Sequence, residues 1–290
     1  AANVKVKGIF LADTENKHFS AKGLDAAING DLLGGKGVAI TASGDVDAKP
    51  ETREFLIDSL KLALAGQFSG AKISVDLNAP KLLAQKDEVT GKKITVSLTQ
   101  DKAGDTLKAN LVLSDIKGSP KALQSSGISG DISGTQGARS INGKFSSPFQ
   151  GNLENLIFEL PKLAGNVDIK DPAIPNGAAK VGFALSLHTD VKQEQINSKF
   201  NLNVDATKLT GDVALVSFKK PDVKFNINAD TLDLNKLLGS SSSKPKKAEP
   251  ASDKPADLSA LKNILLDGKI NIGNLIYDKY HLSGLNVNVK

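Results

Sequence analysis

The chain has 290 residues and a formal net charge of +5, with no Cys, Met or Trp and 4% aromatic residues. Without cysteine there is neither a disulfide framework nor a thiolate metal site, and no apolar run approaches the ~18 residues that span a bilayer. Thirty-five of the 37 basic residues are Lys, the exceptions being Arg53 and Arg139; so few guanidinium forks and stacking aromatics argue against nucleic-acid binding.

Taken in chain order, the dominant signal is strict two-residue alternation. Val38, Ile40 and Ala42 alternate in GVAITASGDV, then Leu60, Leu62 and Leu64 in SLKLALAG, and Ile73, Val75 and Leu77 in AKISVDLNA. Ile94, Val96 and Leu98 follow, with Leu107, Ala109, Leu111 and Leu113 after them. Beyond residue 180 the series resumes with Val181, Phe183, Leu185 and Leu187, with Phe200, Leu202 and Val204, with Val223, Phe225 and Ile227, and with Ile270 and Ile272. This period puts apolar side chains on one face of a strand and polar ones on the other. The clusters QDKAGD, KKPD and DGK between the runs are hairpin-turn material. A dozen to fifteen strands in a largely antiparallel meander are expected.

Helical signals are few. DLSALKNILLDG has Asp257 as N-cap, Leu258, Leu261, Ile264 and Leu265 at helical spacing, and Gly268 just after the end. A turn of helix is expected around Leu232 to Leu238, and a weaker one in SPKALQSS near Pro120. GSSSSKPKKAEPASDKPAD, residues 239–257, has no apolar side chain larger than alanine and reads as a loop without a core of its own. The expected organisation is therefore a repeated hairpin sheet over residues 1–238, a loop over 239–257 inserted in the same sheet, and a short helix plus strands over 258–290.

So many half-apolar strands need a cover, and the helices supply little of it. The sheet must either close as a sandwich or barrel, or curl into a trough whose apolar inside meets a ligand. Strands of about eight to ten residues are roughly 26–34 Å long and a dozen extend a sheet roughly 55–60 Å, against ~15 Å for half the hydrocarbon of a bilayer. Acyl chains would fit. Periodicity alone leaves trough and closed sandwich open.

Catalytic and metal motifs are missing. His18, His188 and His281 lie far apart, and no HExxH, GxSxG, P-loop or dinucleotide glycine pattern occurs. Asp45, Asp47, Asp230 and Asp233 read as turn carboxylates at strand ends, and the Asp/Asn/Gly-rich segments lack calcium-loop spacing. No enzyme activity and no cofactor are expected. A surface β-repeat adhesin would need a regular period, and none is found.

Over residues 224–290 an extended strand leads into Leu232, Asp233 and Leu234, then a variable linker, then Leu258, Leu261 and Leu265. Asp267, Gly268, Ile272, Gly273 and Leu275 follow, with Leu282, Ser283, Leu285 and Val289 at the end. In this order of motifs the chain resembles the C-terminal region of AsmA-family proteins, Asn235 departing from the more usual acidic residue. The resemblance implies a Gram-negative periplasmic protein held to the inner membrane by an N-terminal helix upstream of Ala1, with more strands after Lys290. It further implies kinship with TamB-type and bridge-like lipid transfer proteins and a part in outer-membrane assembly, without catalytic residues. The expected partners are phospholipid or another acyl lipid, the inner membrane, and outer-membrane assembly proteins. The candidate groove lining is Leu60, Leu62, Leu64, Ile73, Val75, Leu77, Phe183, Leu185, Leu187, Phe200, Leu202, Phe225 and Ile227. A closed, non-catalytic assembly factor for outer-membrane proteins is the alternative.

Overall fold

A computed structural model describes residues 2–174, 177–205, 207–238 and 264–290. Eighteen strands belong to one mixed sheet, and the chain divides into two compact units, Ala1–Leu160 and Pro161–Lys290. The first holds β1 (Ala2–Asp13), β2 (His18–Leu32), β3 (Gly35–Lys49), β4 (Glu54–Phe68), β5 (Ala71–Ala84), β6 (Val89–Gly91), β7 (Ile94–Lys102), β8 (Asp105–Leu113), β9 (Ile116–Ser119), β10 (Ala122–Gln136) and β11 (Arg139–Asn152). β12 (Ile157–Lys170) crosses the division. The second unit continues with β13 (Ala178–Asp190), β14 (Gln195–Val204), β15 (Thr207–Val216), β16 (Asp222–Asp233), the one-turn helix α1 (Leu234–Leu238), β17 (Leu265–Tyr277) and β18 (Tyr280–Val289).

In the first unit the ladders run antiparallel from β1 through β5. β6 and β7 are two halves of one strand, since both pair with β5 and a backbone bond from Lys92 to Lys81 spans the gap between them. β8 and β9 are likewise halves of one strand against β10, with Ser114 and Gly127, and Ser126 and Asp115, bonded across the break. The sheet is thus nine long strands from β1 to β11.

The ladders are irregular along a line near the middle of these strands. The register shifts at Lys7/Ile9, Ala21/Leu24, Ser43/Asp45 and Ser125/Ile128. Gly8, Gly23, Gly44 and Ser59 sit at positive φ along this line, which continues through Pro80 and the two strand breaks. Bulges of this kind bend a strand and restore a side chain's facing after an extra residue. In β1, β3 and β11 unbroken alternation carries Val6 to Phe10, Ala42 to Val46, and Phe145 to Phe149 along one face. In the strands between, the extra residue keeps apolar positions on that same face: Leu60 gives way to Ile57, and Ile94 to Gly91. The packing agrees, because Ile94 and Leu113 from one side of the line contact the cluster of Val89, Ile116 and Leu123 from the other.

In the second unit β13 to β16 form an antiparallel meander, and β17 then pairs with β16 in parallel before β18 returns antiparallel. The largely antiparallel order expected is interrupted at this parallel pair. The 31 residues between Asp233 and Leu265 supply the connection of a dozen or more that a parallel neighbour requires.

Three local expectations also change. DGK lies inside β17, where Gly268 faces Phe225 at close range, rather than in a turn. SPKALQSS contributes the turn at Pro120 and the start of β10, not a helix. Asp45 and Asp47 lie inside β3 rather than at its end: Asp45 accepts the Gly23 amide at 2.6 Å and Asp47 meets the His18 ring at 3.0 Å. The helical turn expected at Leu232–Leu238 is present as α1. Of the predicted C-terminal helix, Asp257, Leu258 and Leu261 lie outside the described residues, while Leu265 and Gly268 are strand.

Candidate functional site

Cross-strand partners share a face, so the registers show which side chains lie together. In the first unit, Val6, Ala26, Ala42, Leu62, Leu77, Val96, Leu111, Gly130 and Phe145 form one transverse row. The next row is Val4, Ile28, Ile40, Leu64, Val75, Leu98, Ala109, Ile132 and Gly143. Beyond the bulges the rows are Phe10, Ala21, Val46, Ile57, Leu82, Gly91, Ile116, Ser125 and Phe149, then Ala12, Phe19, Ala48, Phe55, Ala84, Val89, Gly118, Leu123 and Gly151. Ser125 is the one polar member, and its hydroxyl donates to the Ser114 carbonyl at 2.8 Å. Nine strands at ~4.8 Å make this face about 38 Å wide across the strands. The reverse side carries Lys5, Asp76, Asn110, Asp131 and Lys144 in a single row, with Asn110 Nδ2 donating to Asp131 Oδ2 at 2.8 Å.

The second unit repeats the division of faces. Leu185, Phe200, Gly211, Ile227, Ile270 and Val287 form one row; Phe183, Leu202, Leu209, Ala229, Ile272 and Leu285 form another. Leu187 and Phe225 extend the same face. On the reverse, Ser186, Lys199, Asp212, Asn226, Lys269 and Asn288 line up, and Asn271 Nδ2 donates to Asn228 Oδ1 at 2.8 Å.

The thirteen expected lining residues therefore fall into two sets. Leu60, Leu62, Leu64, Ile73, Val75 and Leu77 share the apolar face of the first unit, and Phe183, Leu185, Leu187, Phe200, Leu202, Phe225 and Ile227 that of the second. Twelve are half-buried and Leu62 is 40% exposed. Among the described residues eight hydrophobic side chains are buried, three of them alanines. The interdigitated core of a sandwich would bury far more.

Phenylalanine rings on these faces lie flat over glycines of the next strand. A Cβ at Gly268 would come within 2.6 Å of the Phe225 ring, and one at Gly130 within 2.6 Å of Phe145. The rings fill the missing side chains instead of projecting outward. A cavity of about 350 Å³ borders Leu185 and Phe200 together with Leu163 and Ala164.

One end of the first unit is closed. Val89, Ile116 and Leu123 are buried there with Leu82, Ala84, Ile94, Leu113 and Phe149 against them, and the Phe149 and Phe158 rings stack at 6.2 Å. β4, which follows the Arg53 turn, and β11, which precedes the Glu154 turn, are five strand spacings apart, about 24 Å along the sheet. Yet Arg53 Nη1 reaches Glu154 Oε1 at 3.1 Å, and the Leu153 amide donates to the Pro120 carbonyl at 2.7 Å. This end is rolled.

The buried cluster and the rows beyond the bulges escaped the sequence reading. Their signal is a phase slip: alternation running through Leu60 restarts out of step at Ile57, with Ser59 between. Among the described residues, no group of three His, Asp or Glu is placed to hold a metal ion, and no buried side-chain polar atom lacks a hydrogen-bond partner. The Asp13 carboxyl is held below its ordinary pKa, first through the Asn16 side-chain hydrogen bond. The chain matches no family model, no curated protein and no solved structure.

Proposed function

We propose that the chain is the periplasmic part of an AsmA-like protein that carries or shields phospholipid acyl chains along its apolar sheet face, between inner and outer membrane. The observation that supports this reading most is the continuous apolar face, nine strands wide in the first unit, with so few side chains buried on it. Its lining is aliphatic and aromatic, backed by a reverse face of Lys, Asp and Asn. Such a lining has no directional polar group to select a head, so it suits hydrocarbon, each methylene withdrawn from water contributing about 0.8 kcal/mol. Headgroups would remain in solvent at the rim.

The test is native mass spectrometry of the purified chain with lipid extraction from the same preparation, followed by uptake of fluorescent phosphatidylethanolamine. Co-purifying phospholipid that disappears in Leu62→Asp, Val75→Asp or Leu185→Asp supports carriage. A clean chain that takes up no labelled phospholipid sinks it. The second reading, an assembly factor for outer-membrane proteins, draws on β1, every residue of which from Ala2 to Ala12 is exposed. Val6 and Phe10 lie on one face and Ile9 and Leu11 on the other, a strand suited to another polypeptide. Cross-linking from β1 to an unfolded outer-membrane protein, without lipid uptake, would favour it.

A further inference from the structure

The rolled end of the first unit holds a concave site where the last row of the apolar face, through Phe55, Ala84 and Val89, meets the turns of Arg53 and Glu154. A cavity of about 590 Å³ lies there, within the roughly 300–1,000 Å³ of small-molecule sites. Phe55, Ala84, Val89 and Leu153 form its apolar wall, and Arg53, Glu154 and Asn155 its polar rim. Val89 is 4% exposed while Phe55 and Leu153 are each 42% exposed, so the floor is withdrawn from water and the mouth is open. Above this floor one carboxylate faces two cations: Glu154 Oε1 meets Arg53 at 3.1 Å and Glu154 Oε2 meets Lys121 at 3.9 Å. Both cations are well exposed, and ion pairs of that kind are weak and screened. A carboxylate or phosphate arriving with its own hydrocarbon can replace Glu154 on the planar Arg53 fork.

We infer that this cavity binds an anionic amphiphile, its carboxylate or phosphate taking the place of Glu154 on Arg53 and Lys121 and its first methylenes lying against Phe55, Ala84, Val89 and Leu153. The site stands whether or not the sheet face carries lipid.

The test is a fluorescence titration of the full chain with dansylaminoundecanoic acid and with its uncharged amide. The acid is expected to bind about tenfold more tightly than the amide, the worth of a charge-assisted hydrogen bond. Arg53→Gln should erase most of that preference, and Glu154→Gln, which removes the competing carboxylate, should tighten the acid. Leu153→Trp, which fills the cavity, should weaken both probes. All three positions are on turns, so the variants are expected to fold. Equal binding of acid and amide, no binding, or unchanged acid affinity in both Arg53→Gln and Glu154→Gln overturns the proposal. Competition with dodecanoate and dodecyl phosphate identifies the head by the stronger competitor, and failure of both also overturns it. Labelled phospholipid uptake lost in Leu62→Asp while the acid titration survives separates this cavity from the sheet face; loss of both places the probe on the face and ends the cavity reading.

Discussion

The same transverse rows run through β1–β4 and through β5–β10, yet their burial differs widely. Phe10 is 55% exposed and Ile116, in the same row, is 7% exposed. Val6 at one end of another row is 53% exposed. Composition does not explain this, since both regions are apolar along every row. What differs is closure: at the rolled end the turns carrying Arg53, Pro120, Leu153 and Glu154 meet, beside the buried cluster of Val89, Ile116 and Leu123. Around β1–β4 the bulges preserve the facing of the side chains, but among the described hydrophobic side chains of these strands Val38 alone is buried, at 1% exposed. An alternating sequence thus determines which side is apolar, while turn-to-turn contacts determine where that side becomes a core.

The largest effect that can break this comparison is a charge in the closed region. Ile116→Asp should cost about 3–5 kcal/mol, because a carboxylate there has neither water nor a partner, and Ile116→Ala about 2–4 kcal/mol. Val6→Ala should stay within about 0.5 kcal/mol, as for exposed positions generally. Urea unfolding midpoints decide it; equal losses at Ile116 and Val6 would mean that both regions are packed alike. Next in size is Gly268→Ala, expected to cost about 1–3 kcal/mol by overpacking. Its Cβ would meet the Phe225 carbonyl oxygen at 2.5 Å and the ring at 2.6 Å. The double variant with Phe225→Leu should recover part of that loss only if ring contact, rather than backbone contact, dominates. Arg53→Gln should change global stability by less than about 1 kcal/mol, since the pair is exposed, although it joins two distant turns.

The sequence made the apolar face legible wherever alternation ran unbroken, as at Leu60 to Leu64, Ile73 to Leu77 and Leu185 to Leu187. It hid the rest for definite reasons. At Ser59, at Pro80 and between Gly91 and Ile94 one extra residue throws the pattern out of step, so Ile57, Leu82, Val89, Ile116 and Leu123 look unrelated to the runs before them. DGK resembles a turn because Asp-Gly commonly is one, but here the glycine makes room for Phe225 from the neighbouring strand. The parallel pairing of β16 with β17 has no local signature: it depends on which edge a long connection reaches. The Arg53 to Glu154 contact joins positions 101 residues apart, beyond any local pattern.

The smallest effect sharpens the comparison from the open side. If burial does not hold the β1–β2 hairpin, its turn should. Asp13 Oδ1 accepts the Asn16 amide at 3.0 Å and the Glu15 amide at 3.1 Å, while Oδ2 accepts Asn16 Nδ2 at 2.8 Å. These bonds favour the ionised carboxyl and hold its pKa below the ordinary value, the Asn16 side chain contributing most. A depressed carboxyl pKa gives stabilisation that is present above the unfolded value, about pH 4, and is lost as pH falls through the folded one. Asn16→Ala should therefore raise the Asp13 pKa toward normal in a carboxyl-detected NMR titration. Hydrogen exchange in β1 and β2 should quicken at neutral pH, and the difference from wild type should shrink in acid. If exchange in Asn16→Ala matched wild type at neutral pH, the hairpin would be held by contacts of Phe10 and Phe19 instead, and the contrast between open and closed regions would weaken.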